Sequence, residues 1–373
     1  MRWIFWGAVA VVAYAYLGYA AWLWVRSRWR LRPVQSGPYF ASISIVMVVH
    51  NEAAGLERKL KNLLELSYPA DRTEIVVVSD GSTDGTNRLL AEFASLSRAR
   101  VILNPQSRGK AVGLNDAMGV VTGEIVIFTD ARQRIEADAV PLLLENFADP
   151  EVGCVSGELM LGDPDSGETN RGMGLYWKVE KKIREMESAS GSVVGATGAL
   201  YAVRRNLLVK LPPETILDDV YIPMHVLRQR ARVVFDPRAR VWDIPNQGMD
   251  REFARKVRTL TGNYQLFRLS PWLLGSANPV RFGFVSHKLI RLLVPFALGA
   301  LLLSSVILRG PIYRFALGLQ VAFYGLSAWA LVGPKRGRLA RVADMAFTFV
   351  LLNTAAVVAF VNFVTRRRVV WAR

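Results

Sequence analysis

Apolar residues fall into three patterns along this chain. The first is a run from Trp3 to Val25, followed at once by Arg26, Arg28, Arg30 and Arg32. It is long enough to cross a bilayer, and Trp3, Trp6, Trp22 and Trp24 near its ends fit an interfacial belt. The second pattern fills the middle of the chain. Short β-branched runs without alternation each stop at polar residues: Ser44–Val49 before His50-Asn51-Glu52, Glu74–Val78 before Ser79-Asp80, and Glu124–Thr129 before Asp130. Residues apolar in both registers suit strands covered on both faces. Arg100–Leu103, Gly153–Met160 and Arg232–Phe235 read as further strands. Helices are expected over Ala53–Leu66, from Thr83 or Asp84 to about Phe93, from Lys110 onward, and over Glu136–Asn146, Thr169–Glu187 and Leu217 to about Arg230. The third pattern is a basic helix, Arg251–Arg268, interfacial pieces over 270–286, and apolar runs at Leu289–Leu308, Ile312–Val332 and Val342–Val364.

Strands alternating with helices across short connections predict an α/β domain with a doubly wound, mostly parallel sheet. The expected organisation is an N-terminal transmembrane anchor over 1–32, a soluble domain over 40–248, amphipathic interfacial helices over 249–286 and a C-terminal transmembrane region over 287–373. Between them, Val193–Val203 holds Gly195, Gly198 and Ala199 inside an apolar run, which predicts a backbone that something approaches closely.

Composition narrows the partners. The net charge of +16 over 373 residues fits nucleic acid, an anionic membrane surface or a phosphate-rich substrate. The arginines decide: they cluster beside apolar runs, as at Arg26–Arg32 and Arg366–Arg368, which is the positive-inside pattern. No zinc-finger spacing or basic recognition helix is present, so no nucleic-acid partner is expected. Cys154 is the one cysteine, which excludes a disulfide framework and fits a soluble part in a reducing cytosol. His50, His225 and His287 lack metal-ligand spacing. Membrane attachment follows, but the number of spans stays open. If all four apolar runs cross, Arg366–Arg368 end on the side opposite the soluble domain, against the positive-inside rule.

Open α/β sheets bind ligands at the carboxyl ends of their strands. Glu52, Asp80 and Asp130 are all expected there, with the Asp218-Asp219 pair nearby. Each also has a local reading: Glu52 and Asp80 as capping and turn residues, Lys110 as a solvated lysine, Asp218 and Asp219 as the N-terminal acids of a helix.

In order, the chain carries Val48-Val49-His50-Asn51-Glu52, Ser79-Asp80-Gly81-Ser82-Thr83-Asp84, Arg108-Gly109-Lys110-Ala111 with Asn115, Thr129-Asp130-Ala131-Arg132, Gly195-Ala196-Thr197-Gly198-Ala199 and Leu217-Asp218-Asp219. This series resembles the membrane-bound, inverting family 2 glycosyltransferases of GT-A fold, the group of the cellulose, hyaluronan and poly-N-acetylglucosamine synthases. The resemblance covers about residues 43–265 and continues into the apolar runs. It implies that Glu52 and Asp80 hold the base and ribose of a nucleotide-sugar donor, a UDP-sugar first among the candidates. It further implies that Lys110 and Arg258 meet the diphosphate, that Asp130 sits by ribose and metal, Mg2+ or Mn2+, and that Gly198 and Ala199 border the acceptor. Asp219 would be the base and Asp218 its orienting neighbour.

Two positions depart from the family pattern. Arg132 stands where a second metal-binding acid, or Asn, is usual, so either Asp130 holds the cation alone with donor phosphates, or Arg132 itself neutralises the leaving diphosphate. The family's Gln-x-x-Arg-Trp reads Arg255-Lys256-Val257-Arg258-Thr259, which removes the aromatic platform for an acceptor sugar. The implied function is inverting sugar transfer to a lipid-linked or polysaccharide acceptor at the cytoplasmic face of a bacterial inner membrane, for cell-surface glycan. Membrane lipids and other glycan-synthesis proteins are the further partners. A processive synthase exporting its own polymer, and a catalytically silent subunit of a synthase complex, remain as alternatives.

Overall fold

The structure is a computed structural model and describes residues 1–96, 99–162, 174–243, 249–333 and 337–367. The expected helix start at Thr169 and the last arginine of the C-terminal cluster, Arg368, lie outside the described residues.

The chain opens with helices α1 (Arg2–Ala13) and α2 (Tyr19–Trp29), joined by a π-helical turn over Tyr14–Gly18. The soluble domain then runs β1 (Ile43–Val49), α3 (Ala53–Leu64), β2 (Thr73–Asp80), α4 (Thr86–Leu96), β3 (Ala99–Asn104), α5 (Lys110–Met118) and β4 (Ile125–Thr129). It continues with β5 (Arg134–Ile135), α6 (Ala139–Glu145), β6 (Val152–Leu161), α7 (Gly174–Ala189), β7 (Leu200–Arg204), α8 (Asp218–Arg228) and β8 (Arg232–Asp243). The C-terminal part holds α9 (Met249–Leu269), α10 (Arg281–Phe284), α11 (Ile290–Ile307), α12 (Pro311–Val332) and α13 (Arg338–Val364), with a second π-helical turn over Val285–Leu289 joining α10 to α11.

The strands form one sheet in the order β3-β2-β1-β4-β7-β6-β8-β5. Its first half is parallel, as expected. The second half is mixed, because β7 runs antiparallel to both β4 and β6. Alternate residues of each central strand feed two separate cores. Ile45, Met47, Ile75, Val77, Ile125 and Ile127 pack under α3, α4 and α6. Val46, Val48, Val76, Val78, Val126 and Phe128 pack under α5 and α8. This is why these strands show no polar alternation: neither face meets water. Each fully buried Val or Ile contributes roughly 1.5–3 kcal/mol, so the central strands act as the rigid floor on which the site stands.

Strand β8 does not end at Phe235 as the Asp236-Pro237 pair predicts; it continues to Asp243. The register against β6 shifts between Ser156 and Glu158, opposite this stretch. The bulge releases Pro237 from donating a ladder hydrogen bond, so the proline is tolerated. Within Val193–Val203, β7 begins at Leu200 and residues 195–199 form a loop.

Four helical stretches are long and apolar enough to cross a membrane among the described residues: Arg2–Trp29, Arg281–Ile307, Pro311–Val332 and Arg338–Val364. Helices α12 and α13 form a hairpin, with Phe323 against Phe349 at 5.4 Å. The end of α13 returns to the soluble domain: Phe363 stacks on Tyr264 of α9 at 5.8 Å, and Arg366 and Arg367 share a cavity with Lys110. Arg366 and Arg367 therefore lie beside Lys110 and the sheet.

A clasp of side chains fixes the soluble domain to these helices. His287, on the π-helical turn, lies 2.9 Å from Glu180 through Nε2 and 2.9 Å from Glu187 through Nδ1, both on α7. Tyr19 of α2 donates to the same Glu187 at 2.6 Å, and Arg291 donates to Glu180 at 2.8 Å.

Candidate active site

The sheet's carboxyl edge is shaped by two loops. After β2, Gly81 turns with φ +65°; a Cβ there would lie 2.2 Å from the Ser107 nitrogen, so only glycine lets the two loops meet. Asp80, fully buried, holds the opposite loop. It accepts from Ser107 Oγ at 2.8 Å, from the Arg108 N–H at 2.8 Å and from the Gly109 N–H at 2.9 Å. Its carboxylate thus positions the start of α5, and with it Lys110. Asn51, in left-handed backbone at φ 55°, accepts from the Thr83 N–H at 2.8 Å, which ties the β1 exit to the β2 exit. Glu52 follows at the start of α3; burial, with the nearby Asp130 charge, raises its carboxyl above the usual range against the pull of Arg132.

Lys110 is the centre of the site. Its ammonium lies 2.9 Å from Asp130 and 3.1 Å from Asp218. Burial opposes a charge on Lys110, but the two carboxylates outweigh it and hold the ammonium protonated above its ordinary range. Asp130 is held below the carboxylate range for the matching reason: Lys110, helped by Arg258, outweighs burial. Beneath Asp130, Lys59 is buried and donates to Thr129 Oγ1 at 3.0 Å and to the Gln133 carbonyl at 2.7 Å. Burial brings it down to about 7.

The acid pair opens α8, where the helix N-terminus favours negative charge. The two acids face different partners. Asp218 is buried and accepts from Tyr201 Oη at 3.1 Å, besides meeting Lys110. Asp219 accepts from the Gly198 N–H at 3.1 Å, and a Cβ on Gly198 would lie 3.0 Å from that same Oδ2. Burial, and then the Asp218 charge, raise Asp219 to about 6, with Lys110 and Lys288 pulling the other way. A carboxylate at that value takes and returns a proton near neutrality.

Three expected residues have more structural surroundings. Ala199 sits in the core with its carbonyl accepting from Thr129 Oγ1 at 2.9 Å, so of the Gly198-Ala199 pair only Gly198 touches the acid pair. Arg132 forms a 2.6 Å ion pair with Asp243 at the end of β8. Arg258 lines the cavity beside Lys110. Lys59, Asp243 and the His287 clasp are absent from the sequence reading. Lys59 carried a signal: it falls on the face of α3 shared by Leu56, Leu60 and Leu63, where a charge is out of place.

For a divalent cation the chain offers little by itself. No group of three ligating side chains occurs among the described residues. Asp130, with its side chain 39% exposed, is the open carboxylate, and Asp218 reaches the same ammonium. This donor set fits a single-point anchor for an oxygen-preferring ion whose other ligands come from phosphate, not a protein cage.

Residues 44–211 match the family model Glycosyl transferase family 2. Over 228 residues the chain is 23% identical to the poly-beta-1,6-N-acetyl-D-glucosamine synthase of Staphylococcus aureus strain COL, a match covering 60% of this chain and 55% of the relative. The enzyme of the same name from Staphylococcus epidermidis is 23% identical over 234 residues, covering 62% and 56%. The match spans about half the length of these curated relatives. A mannosyltransferase from Pyrobaculum calidifontis, solved with GDP-Man and Mn2+, superposes with a TM-score of 0.74 at 24% identity over 96% of this chain and 98% of that chain, which shows a shared GT-A-like fold. Residues 44–211 therefore form a family 2 glycosyltransferase domain.

Proposed function

We propose that this chain transfers a sugar from a nucleotide-sugar donor to a hydroxyl of a lipid-linked or polysaccharide acceptor, with inversion, at the membrane face that bears its soluble domain, for cell-surface glycan. The observation that carries this is the placement of two adjacent acids with different partners beside one lysine. Asp218 is locked to Lys110 and Tyr201, while Asp219 stays available and poised near 6. Asp219 removes the acceptor hydroxyl proton as the oxygen bonds to the anomeric carbon. The bond from that carbon to the diphosphate oxygen breaks, and the nucleoside diphosphate leaves with the electron pair. Lys110 and Arg258 meet the developing negative charge. Gly198 keeps the acceptor side open and orients the base. Glu52 faces the donor, and Asp80 acts through the loop it holds. When bound, Mg2+ or Mn2+ anchored at Asp130 adds positive charge at the diphosphate.

The relatives support this reading by their names, and the mannosyltransferase by its bound nucleotide sugar and metal. The test is nucleotide release by purified protein in lipid, across UDP-, GDP- and dTDP-sugars, with Mg2+, Mn2+ or chelator. Release from one donor is expected, lost in Asp219→Asn and in chelator. Equal release by wild type and Asp219→Asn overturns the assignment of the base, and no release from any donor with lipid extract supplied overturns the function.

A further inference from the structure

A cavity of about 670 Å3 lies where the soluble domain, α9 and the end of α13 meet. Its inner wall is Gly109, Lys110 and Arg258, the region assigned above to the donor diphosphate. Its outer wall is different: Arg268 from α9 with Asn362, Phe363, Arg366 and Arg367 from the last turn of α13 and its cap. The lining holds one carboxylate, Glu214. Arg108 and Lys110 have acidic partners, in Asp116 and in Asp130 and Asp218. No ion pair among the described residues joins Arg258, Arg268, Arg366 or Arg367 to a carboxylate, and Nε of Arg258 is buried without a hydrogen-bond partner.

Like charges gathered at a partly enclosed site repel, and an anion bound among them removes that cost. The backbone at this end is built rather than frayed. Arg366 takes φ 53°, and the Arg367 N–H returns to the Asn362 carbonyl at 3.0 Å, a left-handed helix cap. Beside the arginines runs an aromatic seam, with Tyr264 stacked on Phe363 at 5.8 Å and edge-on to Phe360 at 5.6 Å. Guanidinium forks match phosphate oxygens, and the exposed apolar side chains of α13 nearby, Phe360, Val361 and Val364, match an alkyl chain.

We propose that the outer half of this cavity, Arg268, Arg366 and Arg367 beside Phe363, binds the phosphoryl head of a membrane lipid whose chain lies along the exposed apolar face of α13. Either a bilayer phospholipid or a prenyl phosphate carries this chemistry. Neither Asp218 nor Asp219 lines the cavity; Lys110, 3.1 Å from Asp218, borders both. Binding here does not require the transfer reaction, so its failure and that of the proposed function are read in different assays.

The test is a titration of the full chain in neutral detergent with a fluorescent-tailed phosphatidylglycerol, in competition with prenyl phosphate, diacylglycerol and inorganic phosphate. Saturable binding is expected, displaced by unlabelled phosphatidylglycerol or prenyl phosphate but not by diacylglycerol or by inorganic phosphate at the same concentration. Arg366→Gln with Arg367→Gln weakens it about tenfold or more, and Arg268→Gln weakens it separately. Arg366→Lys with Arg367→Lys keeps most of the affinity, which guards against a folding defect. Arg338→Gln with Arg341→Gln removes the same charge at the other end of α13 and leaves binding unchanged. Tighter binding of prenyl phosphate than of phosphatidylglycerol makes the cavity an acceptor seat; equal binding makes it a structural lipid seat. Unchanged affinity in the Arg366 and Arg367 variant, an equal loss in the Arg338 and Arg341 control, or displacement by inorganic phosphate alone overturns the proposal.

Discussion

Nη2 of Arg132 lies 2.6 Å from Oδ2 of Asp243, a carboxylate with a side chain 1% exposed. Arg255 reaches the same oxygen at 3.3 Å, so two guanidinium groups from distant segments close on one buried acid. In this arrangement Arg132 braces β8 against the β4 exit and its charge is committed to Asp243. Arg132→Gln is expected to cost about 1–3 kcal/mol of stability, less than a fully buried pair because a third of the side chain meets solvent. It should leave any metal requirement intact. Thermal unfolding and nucleotide release in chelator check both. Release that survives chelator in wild type but not in the variant, with stability unchanged, would return Arg132 to the diphosphate.

Asp219 sets the acid limb of the rate. Its carboxyl stands at about 6, raised by burial and by Asp218. A general base works only when ionised, so kcat/KM is expected to fall about tenfold per pH unit below about 6 and to level off above it. The Asp219→Asn variant should lose about 10^2–10^4 of the rate, and whatever remains should no longer follow this limb. A pH profile of nucleotide release with acceptor present measures it, and an unchanged limb in the variant would assign the titration elsewhere.

Gly198 is expected to tolerate no side chain. An alanine Cβ meets Oδ2 of Asp219 at 3.0 Å and pushes the base from its 3.1 Å hydrogen bond. Displacing a catalytic group by about 1 Å costs on the order of 10^2 in rate. Gly198→Ala should therefore lower kcat with little change in the KM for donor. A rise in donor KM at constant kcat would place Gly198 on the donor side instead.

Lys59 links stability to pH in the direction opposite to a salt-bridged lysine. Its value in the folded chain is about 7, lowered by burial, while the unfolded chain keeps the proton to about 10. Between those values the unfolded state binds more protons, so stability rises with pH from about 7 to about 10, by a few kcal/mol at most. Lys59→Met matches the volume and removes the titration. The slope of unfolding midpoint against pH over this window should flatten, and a slope equal to wild type would show that Lys59 titrates normally.

What the sequence made legible follows from how local each feature is. The strands ending at Asp80 and Asp130 and the helix opened by Asp218 are written in consecutive residues, and they appear in the expected places. The gathering of Asp130 and Asp218 on one ammonium is not local: residue types place all three at one edge, but only the fold brings Lys110 between them. The partner of Arg132 lies at the far end of a strand that continues past a proline, and that continuation depends on a bulge opposite β6, so no local pattern announces it. The same holds for the end of α13, which packs through Phe363 against Tyr264, a contact that hydropathy does not announce.

His287 carries the junction between the soluble domain and the apolar helices. It is 4% exposed and bridges Glu180 and Glu187, while Oε2 of Glu187 has no partner. Replacing it by leucine leaves two buried carboxylates short of a partner, a loss expected near 3–5 kcal/mol. Tyr19 and Arg291 still serve one oxygen each, which favours the lower end. Pairing His287→Leu with Glu187→Gln removes the uncompensated charge and should recover part of that loss, giving a coupling energy well above the additive expectation. Thermal unfolding of the full double-mutant cycle in detergent measures it. Additive losses would mean that His287 and Glu187 do not act as a unit.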